Sequence, residues 1–210
     1  MNKPPAVILL SGFGTSKLYC VNKDDDTKRQ IIWPIQKTVK SILKLVFSSY
    51  HQNKLKLTYD ENDPINGKST DTCDVELDWS ENYDVNLVSE VEGHMTVFAN
   101  IIENLTDLGM VNMKNAFSLV FDTRLRPGKR TETDFRNILQ ISEDNKNGKS
   151  VIVTYSYGGF HALHALSTMT EEEIKKKIGK LIFMACPFGG IEAIILTLLT
   201  VSKSRFTEKI

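Results

Sequence analysis

Short apolar runs alternate with longer amphipathic stretches along this chain. Four of the runs, residues 6–10, 117–121, 150–155 and 181–185, are almost continuously apolar and are rich in branched or aromatic side chains. Runs of this kind are typical of strands that are buried on both faces of a parallel sheet. The pattern therefore predicts a parallel sheet of at least four strands.

Helix-length stretches separate these strands. Apolar residues recur at helical spacing in 94–108, and further helices are predicted at 132–143, 158–169 and from Thr170 onward. Thr170 and Glu173 have the spacing of a capping box, and the lysines that follow, 175–177, pair with preceding glutamates as a solvated helix face rather than a binding patch. Strand and helix in alternation predict an α/β fold with right-handed crossovers.

Residues 50–93 interrupt the alternation. This stretch is polar and rich in turn-forming residues, with strand-like pieces only at 54–59 and 74–78. We therefore expect an insertion or cap within one domain spanning residues 1–210, rather than a second domain.

Composition excludes several classes of function. The chain has 26 Lys and Arg against 26 Asp and Glu, so no basic field is available to bind nucleic acid or an anionic membrane. Its three cysteines are far apart and lack CxxC spacing, which predicts reduced thiols and neither a zinc site nor a disulfide framework. No signal peptide is predicted, and the longest late apolar run, about 191–201, is shorter than the roughly 18–20 residues of a membrane span. A cytoplasmic location is the default expectation.

The segment with the clearest chemistry is 151–166, VIVTYSYGGFHALHAL. A buried strand runs directly into Ser156 and a helix follows, which is the context of a nucleophile elbow. Gly158 supplies the small residue that close approach of strand and helix requires, whereas Thr154 occupies the usual position of the first glycine. The same segment also fits a serine that only caps the helix, and both interpretations stay open here.

A second segment supports the nucleophile. The first strand ends in the loop SGFGTSK, residues 11–17, whose glycines could turn backbone N–H groups toward an oxyanion. One donor would be the N–H of Tyr157, and the other that of Phe13 or Gly14. A phosphate-binding loop is the competing interpretation. It is disfavoured because the third glycine of the dinucleotide fingerprint and the Walker pattern are both missing.

With these residues in hand, the chain resembles the N-terminal part of the lecithin:cholesterol acyltransferase family, whose fold is the α/β-hydrolase. Four blocks match in order: PAVILLSGFGTSKL at 5–18, the helix at 96–109 followed by FDTRLRP at 121–127, the elbow at 150–166, and LIFMACPFGG at 181–190. The chain departs from the family pattern at Ser11 (usually proline), Thr123 (tryptophan), Thr154-Tyr155 (Gly-His) and Phe188 (tryptophan). By the same resemblance, Asp122 and Arg124 are structural or pocket-shaping.

The catalytic acid and histidine are not expected within this chain. In this fold they follow the serine, and the family's lie beyond the last matching block. The histidines after Ser156 are His161 and His164, which occupy the elbow helix and match packed aromatic positions of the family. His51 and His94 precede the serine and receive no role.

The resemblance implies a partial α/β-hydrolase with the cap-like insertion at 50–93. Its chemistry would be that of a lipid O-acyltransferase or phospholipase, with acyl transfer from a phospholipid or other glycerolipid to water or a lipid hydroxyl through a Ser156 acyl-enzyme. Neither a metal nor a cofactor is expected, and contact with a membrane surface would be transient. The alternative is a truncated, catalytically inactive relative that at most binds lipid. The genomic sequence beyond Ile210 would discriminate between the two.

Overall fold

A computed structural model describes residues 4–22, 25–33, 55–60, 63–69, 74–77, 83–91 and 95–192 of this chain. In these ranges strands predominate before residue 97, and helices and strands alternate after it. The strands in these ranges are β1 (Val7–Leu10), β2 (Leu18–Asn22), β3 (Asp25–Trp33), β4 (Leu57–Asp60), β5 (Asp63–Ser69), β6 (Asp74–Leu77), β7 (Glu90–Val91), β8 (Met95–Thr96), β9 (Ala116–Leu119), β10 (Ser150–Tyr155) and β11 (Ile178–Met184). The helices are α1 (Ala99–Asp107), α2 (Lys129–Asp144), α3 (Gly158–Ser167) and α4 (Glu171–Lys177), with a 3-10 turn at Val85–Val88.

The four predicted core strands form one sheet in the order β11-β10-β1-β9, and every neighbouring pair is parallel. This confirms the predicted α/β class. The central strand β1 aligns Val7 with Val151 of β10 and with Ala116 of β9. Because the strands are parallel, the loops that follow them all emerge at one edge of the sheet, where ligands bind in open α/β sheets.

Both faces of this sheet are covered, which explains why its strands are apolar throughout. Ile8 and Leu10 of β1 pack with residues of α2 and α3 on one face, among them Phe135 and Ala162. On the other face, Val7 and Leu9 belong to a cluster with the 3-10 turn and with residues of α1. Alternate residues of a strand point to opposite faces, so a strand covered on both sides has to be apolar at every position.

The helices follow the sequence pattern with small differences at their ends. The first helix begins at Ala99 rather than at 94, because Met95–Thr96 pairs as β8 with Glu90–Val91. Helix α4 carries the predicted capping box, in which Thr170 accepts from the Glu173 backbone and the Glu173 side chain accepts from Thr170 N–H. The apolar run at 191–201 lies outside the described residues apart from its first two positions. Among the described residues, no helix is long and apolar enough to cross a membrane.

The predicted insertion is connected to the chain that precedes it. Strand β6 pairs with β2, which in turn pairs with β3, so a small antiparallel sheet joins residues 18–33 to residues 74–77. Strands β4 and β5 form a separate hairpin. The division into a core and a cap-like insertion at 50–93 stays a proposal about domain organisation.

One expectation about the cysteines is wrong. Cys20 in β2 is disulfide-bonded, whereas Cys186 is free. Sequence spacing carried no sign of this bond, because pairing depends on which strands the fold brings together. Cys20 is aligned with Val75 on the neighbouring strand β6.

Candidate functional site

Ser156 occupies the turn between β10 and α3. Its φ is 50°, in the left-handed region that residues other than glycine seldom adopt. The N–H of Ser156 donates a 2.9 Å hydrogen bond to the carbonyl oxygen of Met184, which fixes the turn against β11. Strained backbone of this kind is concentrated at functional sites, and it is what a nucleophile elbow requires.

The serine does not act as a helix cap. Tyr157 is the N-cap residue of α3, and no side-chain hydrogen bond caps this helix. Within the described part of the chain the Ser156 hydroxyl has no hydrogen-bond partner, and the residue is only half-buried. The structure therefore favours the elbow over the capping interpretation that the sequence left open.

Gly158 allows α3 to begin directly against β1. A Cβ at this position would lie 2.5 Å from the carbonyl oxygens of both Leu10 and Ser11, closer than any real side chain could approach. The helix could not accommodate alanine without moving away from the strand. The small residue expected on the C-terminal side of the serine thus has a definite steric cause.

The loop after β1 lies against the elbow. A Cβ on Gly12 would come within 3.0 Å of the Cβ of Ser156 and 3.1 Å of the Tyr155 ring. At the tip of the loop, the Phe13 ring meets the edge of the Tyr157 ring with centroids 6.4 Å apart. The residues expected to supply oxyanion donors are thus neighbours, while the roles of Phe13, Gly14 and Tyr157 remain proposals.

The two histidines that follow the serine are hydrogen-bonded to side chains of α2. His161 is 1% exposed, and its Nδ1 hydrogen-bonds Thr131 Oγ1 at 2.9 Å. Burial, and to a lesser extent the charge of His164, lowers the pKa of His161 to about 3, so its ring is neutral at physiological pH. His164 pairs through Nε2 with Glu132 Oε1 at 3.1 Å. Both side chains therefore tie α3 to α2, in agreement with the packing role expected for them.

Asp122 and Arg124 form an ion pair in the loop after β9. Arg124 Nη2 and Nε donate to the two carboxylate oxygens of Asp122 at 2.6 and 3.0 Å. Arg124 Nη1 also reaches the carbonyl oxygen of Leu55 at 3.3 Å, which connects this loop to the segment before β4. Asp122 lines a cavity of about 460 Å³ together with His161, whereas Ser156 does not.

The comparison with known families agrees with this arrangement. The family model described as "Lecithin:cholesterol acyltransferase" matches residues 84–203, which is more than half of the chain. The chain belongs to the lecithin:cholesterol acyltransferase family. The match includes the elbow and the Asp122–Arg124 pair, and the loop after β1 precedes it. No curated protein matches the chain.

The chain departs from the pattern of the lecithin:cholesterol acyltransferase family at the elbow, and its structure accommodates the change. Thr154, in place of the usual glycine, is fully buried. Its hydroxyl lies 3.2 Å from Cys186 Sγ and donates to the Ile182 carbonyl oxygen at 3.3 Å. Since a buried hydroxyl needs a hydrogen-bond partner, these contacts on the neighbouring strand and its following loop make threonine acceptable there.

Aromatic side chains continue outward from the elbow. Edge contacts link Phe13 to Tyr157, Phe160 to Phe188 and Phe188 to Phe183, and a tilted contact links Tyr157 to Phe160; we call these five residues the aromatic cluster. Phe13, Phe188 and Phe183 are 65%, 48% and 39% exposed. Burial raises the pKa of Tyr157, whose hydroxyl donates to the Leu125 carbonyl oxygen at 3.2 Å. An apolar surface therefore lies next to the elbow. Such a surface is consistent with a family of lipid acyltransferases.

Trp33 is a site neighbour that sequence reasoning missed. Its indole Nε1 donates to the carbonyl oxygen of Gly14 at 2.7 Å, across a separation of 19 residues. A run ending in IIW before a proline carries no sign of such a contact. The contact between Trp33 and Gly14 can be seen only once the fold has placed β3 beside the loop.

Proposed function

We propose that this protein transfers an acyl group from a glycerolipid ester to water or a lipid hydroxyl, with Ser156 as the nucleophile. The observation that carries the proposal is the left-handed backbone of Ser156 at a strand–helix junction, with the Gly12–Gly14 loop against it. Membership of a lipid acyltransferase family supports the same chemistry.

In the proposed reaction, Ser156 Oγ attacks the ester carbonyl carbon and the bond from that carbon to the alcohol oxygen breaks. The serine proton passes through a base to the departing alcohol. The backbone N–H of Tyr157 and that of Phe13 or Gly14 would stabilise the negative oxygen of the tetrahedral intermediate. Water or a lipid hydroxyl then attacks the acyl carbon, the bond from that carbon to Ser156 Oγ breaks, and the proton of the attacking hydroxyl passes through the base to Oγ, which regenerates the serine.

The base is the part of this mechanism that the described residues do not provide. His161 and His164 are bonded to Thr131 and Glu132 on α2 and are occupied there. The other histidines of the sequence are His51 and His94, which lie outside the described residues. The base has to be a residue outside the described ranges. Without a base, only the oxyanion hole and substrate binding would contribute to the rate.

The aromatic cluster supports an apolar acyl chain as the group transferred. Its ring contacts run from Tyr157, next to Ser156 in the sequence, to Phe183 on the outermost described strand β11. Burial of an acyl chain stabilises a complex by about 0.8 kcal/mol per methylene group. Residues of this cluster are accordingly the proposed binding surface for the lipid chain, and any contact with a membrane would be made here.

The test is covalent labelling of Ser156 with an alkyl fluorophosphonate, read by mass spectrometry of the peptide that contains it. We expect slow but specific labelling of the 210-residue chain, none in Ser156→Ala, and unchanged labelling in Ser167→Ala. Ser167 is an exposed serine at the end of the same helix, so it is a matched control. Labelling that persists in Ser156→Ala would refute the nucleophile. Complete absence of labelling, together with retained binding of a fluorescent fatty acid, would favour the inactive lipid-binding alternative.

A further inference from the structure

Trp33 contacts one residue of the loop after β1 in two independent ways. Its indole N–H donates to the Gly14 carbonyl oxygen at 2.7 Å. Its ring also packs against Gly14 on the side where other residues carry a side chain, since an added Cβ would lie 3.2 Å from Trp33 Cζ2. Gly14 has a φ of +76°, so it depends on the conformational freedom of glycine. A residue with that freedom needs external contacts if it is to keep one conformation.

The rest of the loop is restrained by its own side chains. Thr15 Oγ1 donates to the Gly12 carbonyl oxygen at 2.8 Å and is also hydrogen-bonded to Ser11 Oγ. These bonds fix Gly12 relative to Thr15 but do not reach the tip, Phe13 and Gly14. The Phe13 side chain is 65% exposed and meets Tyr157 only at the ring edge. Among the described residues, Trp33 is therefore the contact that fixes the backbone at the tip.

We propose that Trp33 is a positioning residue, which holds the Gly14 peptide so that the N–H groups of Phe13 and Gly14 stay in place beside Ser156. This inference rests on the proposed function of that serine. Donors contribute to catalysis when they are fixed before the reaction and need no reorganisation during it. The small antiparallel sheet that contains β3 would thereby act on the elbow through one side chain.

The first experiment measures whether Trp33 immobilises the loop. Backbone ¹⁵N order parameters of Phe13 and Gly14 are compared in the 210-residue chain, in Trp33→Phe and in Trp33→Ala. Phenylalanine keeps an aromatic ring over Gly14 but lacks the N–H donor. We expect the Gly14 order parameter to fall from roughly 0.85 toward 0.6 in both variants. Ile31→Ala, on the same strand at a residue that is 42% exposed, is the matched control and should leave it unchanged.

The second experiment measures the consequence for chemistry. Fluorophosphonate labelling of Ser156 is separated into the maximal labelling rate and the half-saturating probe concentration. We expect Trp33→Phe to lower the maximal rate about tenfold, less than the 10²–10³-fold cost of losing an oxyanion donor outright, with little change in half-saturation. If Trp33 served only to pack against the loop, Trp33→Phe would label like the wild-type chain.

The outcomes distinguish this inference from the proposed function. If Ser156 of the wild-type chain does not label at all, the proposed function fails, and the order parameters alone decide the role of Trp33. An unchanged Gly14 order parameter in Trp33→Phe overturns the inference, whatever Ser156 does. A wild-type labelling rate in Trp33→Phe overturns it as well, while the nucleophile stands.

Discussion

His161 should make the stability of this protein depend on pH below neutrality. The ring is 1% exposed, stacks on Phe121 with centroids 3.6 Å apart, and has its Nε2 buried without a hydrogen-bond partner in the described structure. Burial lowers its pKa from the ordinary 6.5 to about 3. Between these two values the unfolded chain binds a proton at this residue and the folded chain does not, so the free energy of unfolding decreases as the pH falls.

The magnitude follows from the two pKa values. Each unit of pH in this interval costs about 1.36 kcal/mol, and because titration of the unfolded chain begins near 6.5, the step from pH 7 to pH 5 costs about 2 kcal/mol. Carboxyl groups contribute as well toward the acidic end, among them Glu132, whose pKa in the folded chain is lowered from 4.5 chiefly by its hydrogen bond from Lys129, so that the unfolded chain binds that proton first. A variant without the imidazole is therefore needed to isolate the contribution of His161.

The assay is urea denaturation at pH 7, 6 and 5 for the wild-type chain and for the double variant His161→Phe/Thr131→Val. Phenylalanine retains stacking on Phe121, and valine replaces the threonine that would lose its partner. We expect the double variant to lose about 2 kcal/mol less than the wild type between pH 7 and pH 5. Equal losses in both proteins would show that His161 is protonated in the folded state or exposed to solvent, and would refute the reasoning.

Three further predictions concern the elbow and the cysteines. Gly158→Ala should destabilise the fold by about 3 kcal/mol because its Cβ would meet two carbonyl oxygens at 2.5 Å, whereas Gly189→Ala, where no atom of the described residues lies within 4 Å, should be nearly neutral in thermal unfolding. The 210-residue chain should hydrolyse a short-chain ester only marginally, since its described residues provide no histidine base for Ser156 and triad enzymes lacking a member retain roughly 10³–10⁴-fold over water; robust turnover abolished by Ser156→Ala would reveal a base that the described residues do not show. Alkylation of the denatured protein without reduction should modify Cys186 but not Cys20, and Cys20 should react only after reduction; modification of Cys20 before reduction would contradict the disulfide.

The local chemistry of the chain was enough to locate the main elements. The sheet strands were recognisable because burial on both faces requires unbroken apolar runs, and the capping box at Thr170 and Glu173 follows from residue type and spacing alone. The position of Ser156 between strand and helix was readable for the same reason. What the serine does at that position was not, because a cap and an elbow share the same short sequence.

Tertiary structure decided the contacts between distant residues. The bond from Trp33 to Gly14, the pairing of His161 with Thr131 and the contact of Thr154 with Cys186 join positions 19, 30 and 32 residues apart. Each depends on which strands and helices become neighbours and on which way their side chains then face. Sequence periodicity specifies the apolar face of an element, but the partner that covers this face is selected only when the whole fold packs.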